Sequence, residues 1–381
     1  MHTTVDKSQW GGEARFDALL EAIRHRREEF EAQRHISQDI IEEFQAIGVY
    51  RAMVPASYGG DEKSPAEFLK MVEAISAADG SAGWVASFGM NPAYLAALPE
   101  ETLAQVWRDS PDVVFAGGIF PPQPAERVDR GFRISGRWKF ASGCMGASLC
   151  GVGILPEEEG ALPRMAVLPR DQVAIDPTWD MLGMVATGSH DLVVEDAYVP
   201  ETWTFVRGGK PTVDAPFFRY PSLSFAAQVL AVTTLGLARE ALDVVRAMAG
   251  GRKSVTGAPK LGEREYAQIA LGKAEARVRA ARAFFYDSTE AAWAAIEAGG
   301  EPSREQVNLL RLSTTHLTQE CAEAVRDVYR VSGMTGADNG HPLSRILRDS
   351  QLCTQHAFMG EITWKNAGAI FFGHDPLPGY L

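Results

Sequence analysis

The stretch Gly131-Phe132-Arg133-Ile134-Ser135-Gly136-Arg137-Trp138-Lys139-Phe140 alternates apolar and polar residues, with Gly136 as a break. A period of two sends successive side chains to opposite faces, so the segment predicts a half-buried β-strand or hairpin. Trp138 and Phe140 fall on one face of it, where they fill a sheet core or pack against a cofactor. Further short β-rich runs surround it between Asp112 and about Val206, among them Leu192-Val193-Val194 and Tyr198-Val199. The prolines Pro121, Pro122 and Pro124 predict a loop rather than a regular element.

Both flanks read as helix. On the N-terminal side Leu19, Leu20 and Ile23, then Ile40, Ile41, Phe44 and Ile47, recur at helical spacing. Ser37 stands at an N-cap position and Gly48 at a stop. Pro65–Ala78 predicts an amphipathic helix ended by Asp79-Gly80, and the small, apolar Ser81–Leu98 suits a buried one. From Ser224 onward, breaks at Gly250-Gly251, Gly299-Gly300 and Gly333–Gly340 leave four candidate helices. The longest, from about Arg264 to Ala298, would run about 50 Å at 1.5 Å per residue. Long helices with short connections predict an antiparallel bundle. The fold class is therefore α+β and mostly α. Its predicted domains are an N-terminal helical domain (1–111), a central β-sandwich or barrel (112–215) and a C-terminal four-helix bundle (216–381).

Composition narrows the function classes. The 381 residues are 46% hydrophobic, ample for a large core, and 37 basic against 49 acidic residues give a net charge of −12. Such a charge repels phosphate backbones and anionic lipid, which disfavours nucleic-acid and membrane roles. The basic run Arg24-His25-Arg26-Arg27 is answered at once by Glu28 and Glu29, as on a solvated helix face. Cys144, Cys150, Cys321 and Cys353 are scattered and form no C-x-x-C pair, so neither a disulfide scaffold nor a zinc knuckle is expected. The N-terminus lacks a secretory pattern and no uninterrupted apolar run reaches the ~20 residues of a spanning helix; a cytoplasmic location is expected. No G-x-G-x-x-G, G-x-x-x-x-G-K-[ST], G-x-S-x-G or H-E-x-x-H occurs, and the eight histidines show no metal-ligand spacing.

Three motifs then stand in order: Trp138-Lys139-Phe140-Ala141-Ser142-Gly143-Cys144; Thr187-Gly188-Ser189-His190-Asp191, with Val199-Pro200-Glu201 after it; and Pro342-Leu343-Ser344-Arg345-Ile346-Leu347-Arg348-Asp349, with His356 beyond. Together with the α–β–α order, the set resembles the acyl-CoA dehydrogenase fold over essentially the whole chain, and within it the two-component flavin-dependent monooxygenases. Dehydrogenases of that fold commonly follow Arg-Asp with a Tyr-Glu-Gly-Thr tetrad whose glutamate removes a substrate proton. The same distance from Arg348-Asp349 gives His356-Ala357-Phe358-Met359, with Ala357 at the glutamate position. A carboxylate base is missing there, although Glu361 lies one helical turn further on.

The resemblance implies an oxygenase component. It would take reduced FMN or FAD from a separate NAD(P)H:flavin reductase, form a C4a-hydroperoxide with O2, and hydroxylate a small phenolic or indolic aromatic. It implies His356 as the catalytic acid or base, a task imidazole performs near neutral pH. Ser142 would contact the flavin N5 region, flanked by Phe140, Ala141 and Gly143, with Thr187, Gly188 and Ser189 as a second contact of the same kind. Asn91 would stand where several relatives carry a histidine; it can orient a substrate but cannot act as base. Arg252 would reach the flavin phosphate across a subunit boundary, and Ser332, Gly333, Met334 and Thr335 would meet the cofactor from a neighbouring subunit of a homotetramer. Val185 stands two residues before Thr-Gly-Ser, where relatives often place an arginine. Turn chemistry, helix capping and core packing remain alternative roles for these residues. The competing activities are acyl-CoA dehydrogenation with bound FAD and N-oxygenation of an amine.

Overall fold

A computed structural model describes residues 5–157, 162–206, 208–250, 257 and 259–381. Its contacts gather into two compact units. One comprises Met1–Phe68, Trp84–Met181 and Val185–Phe225; the other comprises Leu69–Gly83, Leu182–Met184 and Ala226–Leu381.

The first unit carries the sheet. Its strands are β1 (Phe115–Val128), β2 (Gly131–Ala141), β3 (Leu149–Pro156), β4 (Arg164–Pro169), β5 (Ala174–Asp176), β6 (His190–Pro200) and β7 (Thr204–Val206). Their order is β5-β6-β2-β1-β3-β4-β7, antiparallel throughout except for the parallel β1–β3 pair. Phe132, Ile134, Trp138, Val152, Ile154, Leu168, Leu192 and Val194 make its core. The run Leu192 to Val199 is one strand, not two. The predicted proline loop is also not a loop: Pro121, Pro122 and Pro124 lie within β1, where the β1–β3 register shifts between Gly118 and Gln123. Proline has no N–H to donate, and a break in the ladder removes the need for one.

Trp138 and Phe140 part company. Trp138 is fully enclosed, with its indole N–H donating to the Gly153 carbonyl at 2.7 Å. That leaves it no face for a cofactor, and its place is the sheet core. Between Trp138 and Ala141 the β2–β6 register shifts, and Phe140 adopts φ +64°. Its ring stands 58% exposed instead of following Trp138 inward.

The second unit is the helical bundle. Glu265–Glu297 and Arg304–Ser332 pack as its central pair, and the side chain of Gln228, on Ser222–Met248, donates to the Thr289 hydroxyl at 2.7 Å. Ser222–Met248 is long and apolar enough to cross a membrane, yet 83% of its apolar window is buried within the protein. Gly236 shows how tightly it packs, since a Cβ there would lie 2.5 Å from the Ser76 Cβ. A partly buried cluster ties residue 73 to the bundle: Arg282 pairs with Glu73 at 2.9 Å, and Tyr286 donates to the same carboxylate at 2.7 Å. The fourth predicted helix is broken into Pro342–Cys353 and Glu361–Phe371. The Asp349 carboxylate on the first piece accepts the Met184 N–H at 2.5 Å.

Trp138→Phe removes the indole bond to Gly153 while keeping most of the packing. We expect a loss of about 1–2 kcal/mol in urea unfolding, with reduced-flavin affinity unchanged. A loss of flavin affinity at unchanged stability would contradict a purely structural Trp138.

Candidate functional site

The end of β2 and the start of β6 meet at Ala141, which pairs with His190. This brings the Ser-Gly and Thr-Gly-Ser motifs together. The Gly143 N–H donates to the Thr187 carbonyl at 2.8 Å, with Gly143 at φ +74°, a conformation glycine adopts without strain. Gly188, at φ +56°, is likewise confined: a Cβ there would lie 3.0 Å from the His35 Cβ.

The hydroxyls form a chain. Ser142 Oγ and Ser189 Oγ lie 2.7 Å apart, Ser189 Oγ and Thr187 Oγ1 2.6 Å apart, and the Trp84 indole N–H donates to Ser142 Oγ at 3.2 Å. All three hydroxyl residues are buried. Because Trp84 can only donate, one lone pair of Ser142 is committed to it, and the Ser142 proton is left to point along the chain or outward. Phe140 stands beside this chain in sequence, exposed, with the Trp179 ring edge-on at 6.2 Å. Met145, also partly exposed, lies over Gly188. Cys144 is no participant: its thiol is enclosed, burial pushes its pKa up to about 12, and its Sγ is bound to the Gly188 carbonyl.

An isoalloxazine asks for an apolar surface under its ring and hydrogen-bonding groups at its edge. An exposed Phe140 ring beside a Ser142 hydroxyl whose proton can point outward provides both, so these residues fit a flavin. Trp84, Met145 and Trp179 belong to the same cluster, although reading motif by motif does not select them. The one sequence signal for Trp179 is a lone tryptophan in the loop Pro177-Thr178-Trp179-Asp180, just ahead of Thr-Gly-Ser.

The other expected residues lie elsewhere. Asn91, also in the first unit, is buried at the start of Asn91–Leu95; its amide donates to the Val113 carbonyl at 3.0 Å, just ahead of β1. Its Oδ1 has no hydrogen-bond partner among the described residues.

His356 belongs to the second unit and is not on a bundle helix. It caps the turn Ala357–Met359 between the two pieces of the broken helix, where Nδ1 accepts the Phe358 N–H at 3.3 Å. A neutral ring held this way carries its proton on Nε2. Ala357 lies in that turn, and Glu361 opens the next helix.

Ser332 caps Arg304–Ser332 by donating to the Tyr329 carbonyl at 2.7 Å; Gly333 follows at φ +62°, and Met334 and Thr335 are exposed, Met334 at 86%. Arg252 lies outside the described residues.

Two family models match the chain, "Acyl-CoA dehydrogenase, N-terminal domain" over residues 16–105 and "Acyl-CoA dehydrogenase, C-terminal domain" over 228–361. An indole-3-acetate monooxygenase of Pseudomonas putida is 60% identical over 96% of this chain and 95% of its own length. The chain belongs to the flavin-dependent monooxygenases of the acyl-CoA dehydrogenase fold. The oxygenase component of an FADH(2)-dependent resorcinol hydroxylase from Rhizobium sp. is 30% identical over 93% of this chain and 91% of that protein. The crystal structure of a 3-HSA hydroxylase from Rhodococcus sp. RHA1 superposes with TM-score 0.90 at 27% identity, covering 97% of this chain and 98% of that one. This monooxygenase is therefore an oxygenase component that uses reduced flavin and O2 to hydroxylate an aromatic substrate. Its fold class matches the expectation from sequence.

Ser142→Ala takes a partner from the Trp84 N–H and from the Ser189 hydroxyl inside a buried cluster. The expected cost in urea unfolding of the flavin-free protein is about 1–3 kcal/mol. A change below measurement error would show that the hydroxyl chain is not formed in solution.

Proposed function

We propose that this monooxygenase oxygenates indole-3-acetate or a closely similar indolic acid. The observation that carries this reading is the 60% identity to the Pseudomonas putida indole-3-acetate monooxygenase, spread over 96% of the chain. The lack of a carboxylate at position 357 supports oxygenation over α,β-dehydrogenation, which needs a base to take a carbon-bound proton.

When bound, reduced flavin supplies the electrons that let O2 deliver one oxygen atom to the substrate and leave the other as water. The chain's own residues are assigned to holding and protonating. Phe140 carries one face of the ring system, and the Ser142 hydroxyl meets its edge, fixed by Ser189, Thr187 and the Trp84 N–H. Trp84 and Ser142 are hydrogen-bonded before anything binds, so little ordering is left for the binding step. His356, whose Nδ1 accepts the Phe358 N–H, is assigned the acid–base role. The reduced flavin is delivered by a separate NAD(P)H:flavin reductase. We assign Arg252 and the Ser332, Gly333, Met334 and Thr335 turn to the flavin of a neighbouring subunit. Exposed Phe371 and Phe372 at the end of the last helix support burial in a homotetramer. A cytoplasmic location suits buried free thiols and a diffusing reductant.

The test couples the purified protein to a flavin reductase, NADH and either flavin, and follows consumption of indole-3-acetate, a phenol and an amine sugar by mass. We expect a gain of one oxygen on indole-3-acetate above all; turnover of another class alone would refute the substrate assignment. His356→Asn keeps an acceptor in place of Nδ1 for the Phe358 N–H and removes the acid–base group. It is expected to lower kcat/KM by about a hundredfold or more while reduced-flavin affinity stays within about twofold. Equal losses in both would make His356 a structural cap.

A further inference from the structure

His190 follows Thr-Gly-Ser and opens β6, with its backbone paired to Ala141. Its ring is buried, and Nδ1 accepts the backbone N–H of Trp179 at 3.1 Å. The next residue, Asp191, accepts the Thr178 hydroxyl at 2.8 Å and is held in turn by Arg137, which also binds Asp176 at 2.6 Å. On the other side of Trp179, Arg34 donates to its carbonyl at 2.7 Å and pairs with Asp180 at 3.0 Å. Residues 178–180 are thereby gripped at consecutive backbone and side-chain points. What the grip positions is the Trp179 ring, set edge-on at 6.2 Å against the exposed Phe140.

We propose that His190 is a positioning residue for flavin binding: its imidazole, through the Trp179 N–H, holds the tryptophan that braces Phe140 in its outward pose. This rests on the reading of Phe140 as a face for the flavin ring. An exposed aromatic on a residue at φ +64° has little else to hold it, since its own strand turns away from it at that point. The bond is also sensitive to protonation. A neutral imidazole accepts at Nδ1, whereas an imidazolium has a proton on both nitrogens and would face the Trp179 N–H donor to donor.

Acting on His190 are its burial, His35 and Arg34 from the segment just before the helix Gln38–Ala46, Asp191 on its own strand and Asp176 on β5. Burial, with His35 and Arg34, outweighs the two carboxylates and holds the imidazole below its ordinary 6.5. The lowered value means that the bond is intact above pH 6.5 and is lost as the pH falls through the depressed pKa.

The experiment compares the parent protein, His190→Leu and His190→Asn; asparagine presents an acceptor where Nδ1 stood. Two readouts are taken from pH 7.5 to 5.5. One is hydrogen exchange in the peptide spanning residues 178–180 of the flavin-free protein, corrected for intrinsic rates. The other is anaerobic titration with reduced FMN. At pH 7.5 His190→Leu is expected to exchange faster there and to bind reduced FMN about tenfold more weakly, and His190→Asn to match the parent within about twofold. On acidification the parent should lose protection and affinity together, while His190→Asn stays flat. Unchanged exchange in His190→Leu at pH 7.5 would overturn the positioning role. Faster exchange with unchanged affinity would instead overturn the reading on which it rests, that Phe140 is a flavin face. If His190→Leu does not fold, His190→Ala, which also removes the acceptor, takes its place in both readouts.

Discussion

The ladder between β2 and β6 pairs Trp138 with Leu192, skips, and resumes with Ala141 opposite His190. That skip does two things at once. It leaves Trp138 in the core while turning Phe140 out, and it sets Ser142 and Ser189 within 2.7 Å of each other. A regular register would have placed Phe140 on the side of Trp138 and separated surface from core by strict alternation. The bulge therefore places the end of a structural strand at the edge of the candidate site, as bulges commonly do when they re-aim a side chain. The three hydroxyls and the Trp84 indole then satisfy one another in a largely buried cluster, which removes the cost of burying them unpaired.

The chemistry follows from what is present and absent at a few positions. Position 357 holds an alanine rather than a carboxylate, which supports the proposed oxygenation over dehydrogenation. His356 sits in a turn whose backbone orients its ring, with Nδ1 accepting the Phe358 N–H. A bond at one ring nitrogen selects the tautomer of a neutral histidine. Free thiols take no part, since burial raises every one of them out of the reactive range.

Much of the fold is legible in the sequence because long helices advertise themselves by period and by the glycines that end them. The segment 264–298 was bounded by such signals and is helical over Glu265–Glu297. The strand Gly131–Ala141 is equally plain, from alternation alone. What the sequence hides are features fixed by pairing rather than by local preference. Phe140 is not glycine and gives no hint of a left-handed backbone. The prolines of β1 imitate a loop because their strand tolerates a break in its ladder. His356 reads as a helix residue because nothing in Thr354-Gln355-His356-Ala357 breaks a helix; the interruption is visible only where Nδ1 takes the Phe358 N–H. Of the site, the serines were legible from the family motif, whereas Trp84 and Trp179 were not, since each joins it across distant sequence.

The proposed reaction is oxygen transfer to an indolic acid from O2 with reduced flavin as the electron source. A single-turnover reaction of the protein loaded anaerobically with reduced FMN and indole-3-acetate, then mixed with buffer carrying 18O2, tests this directly. The expected product carries one 18O atom and forms in an amount approaching the flavin supplied. Product without 18O, or flavin oxidation with all the oxygen recovered as hydrogen peroxide, would contradict it.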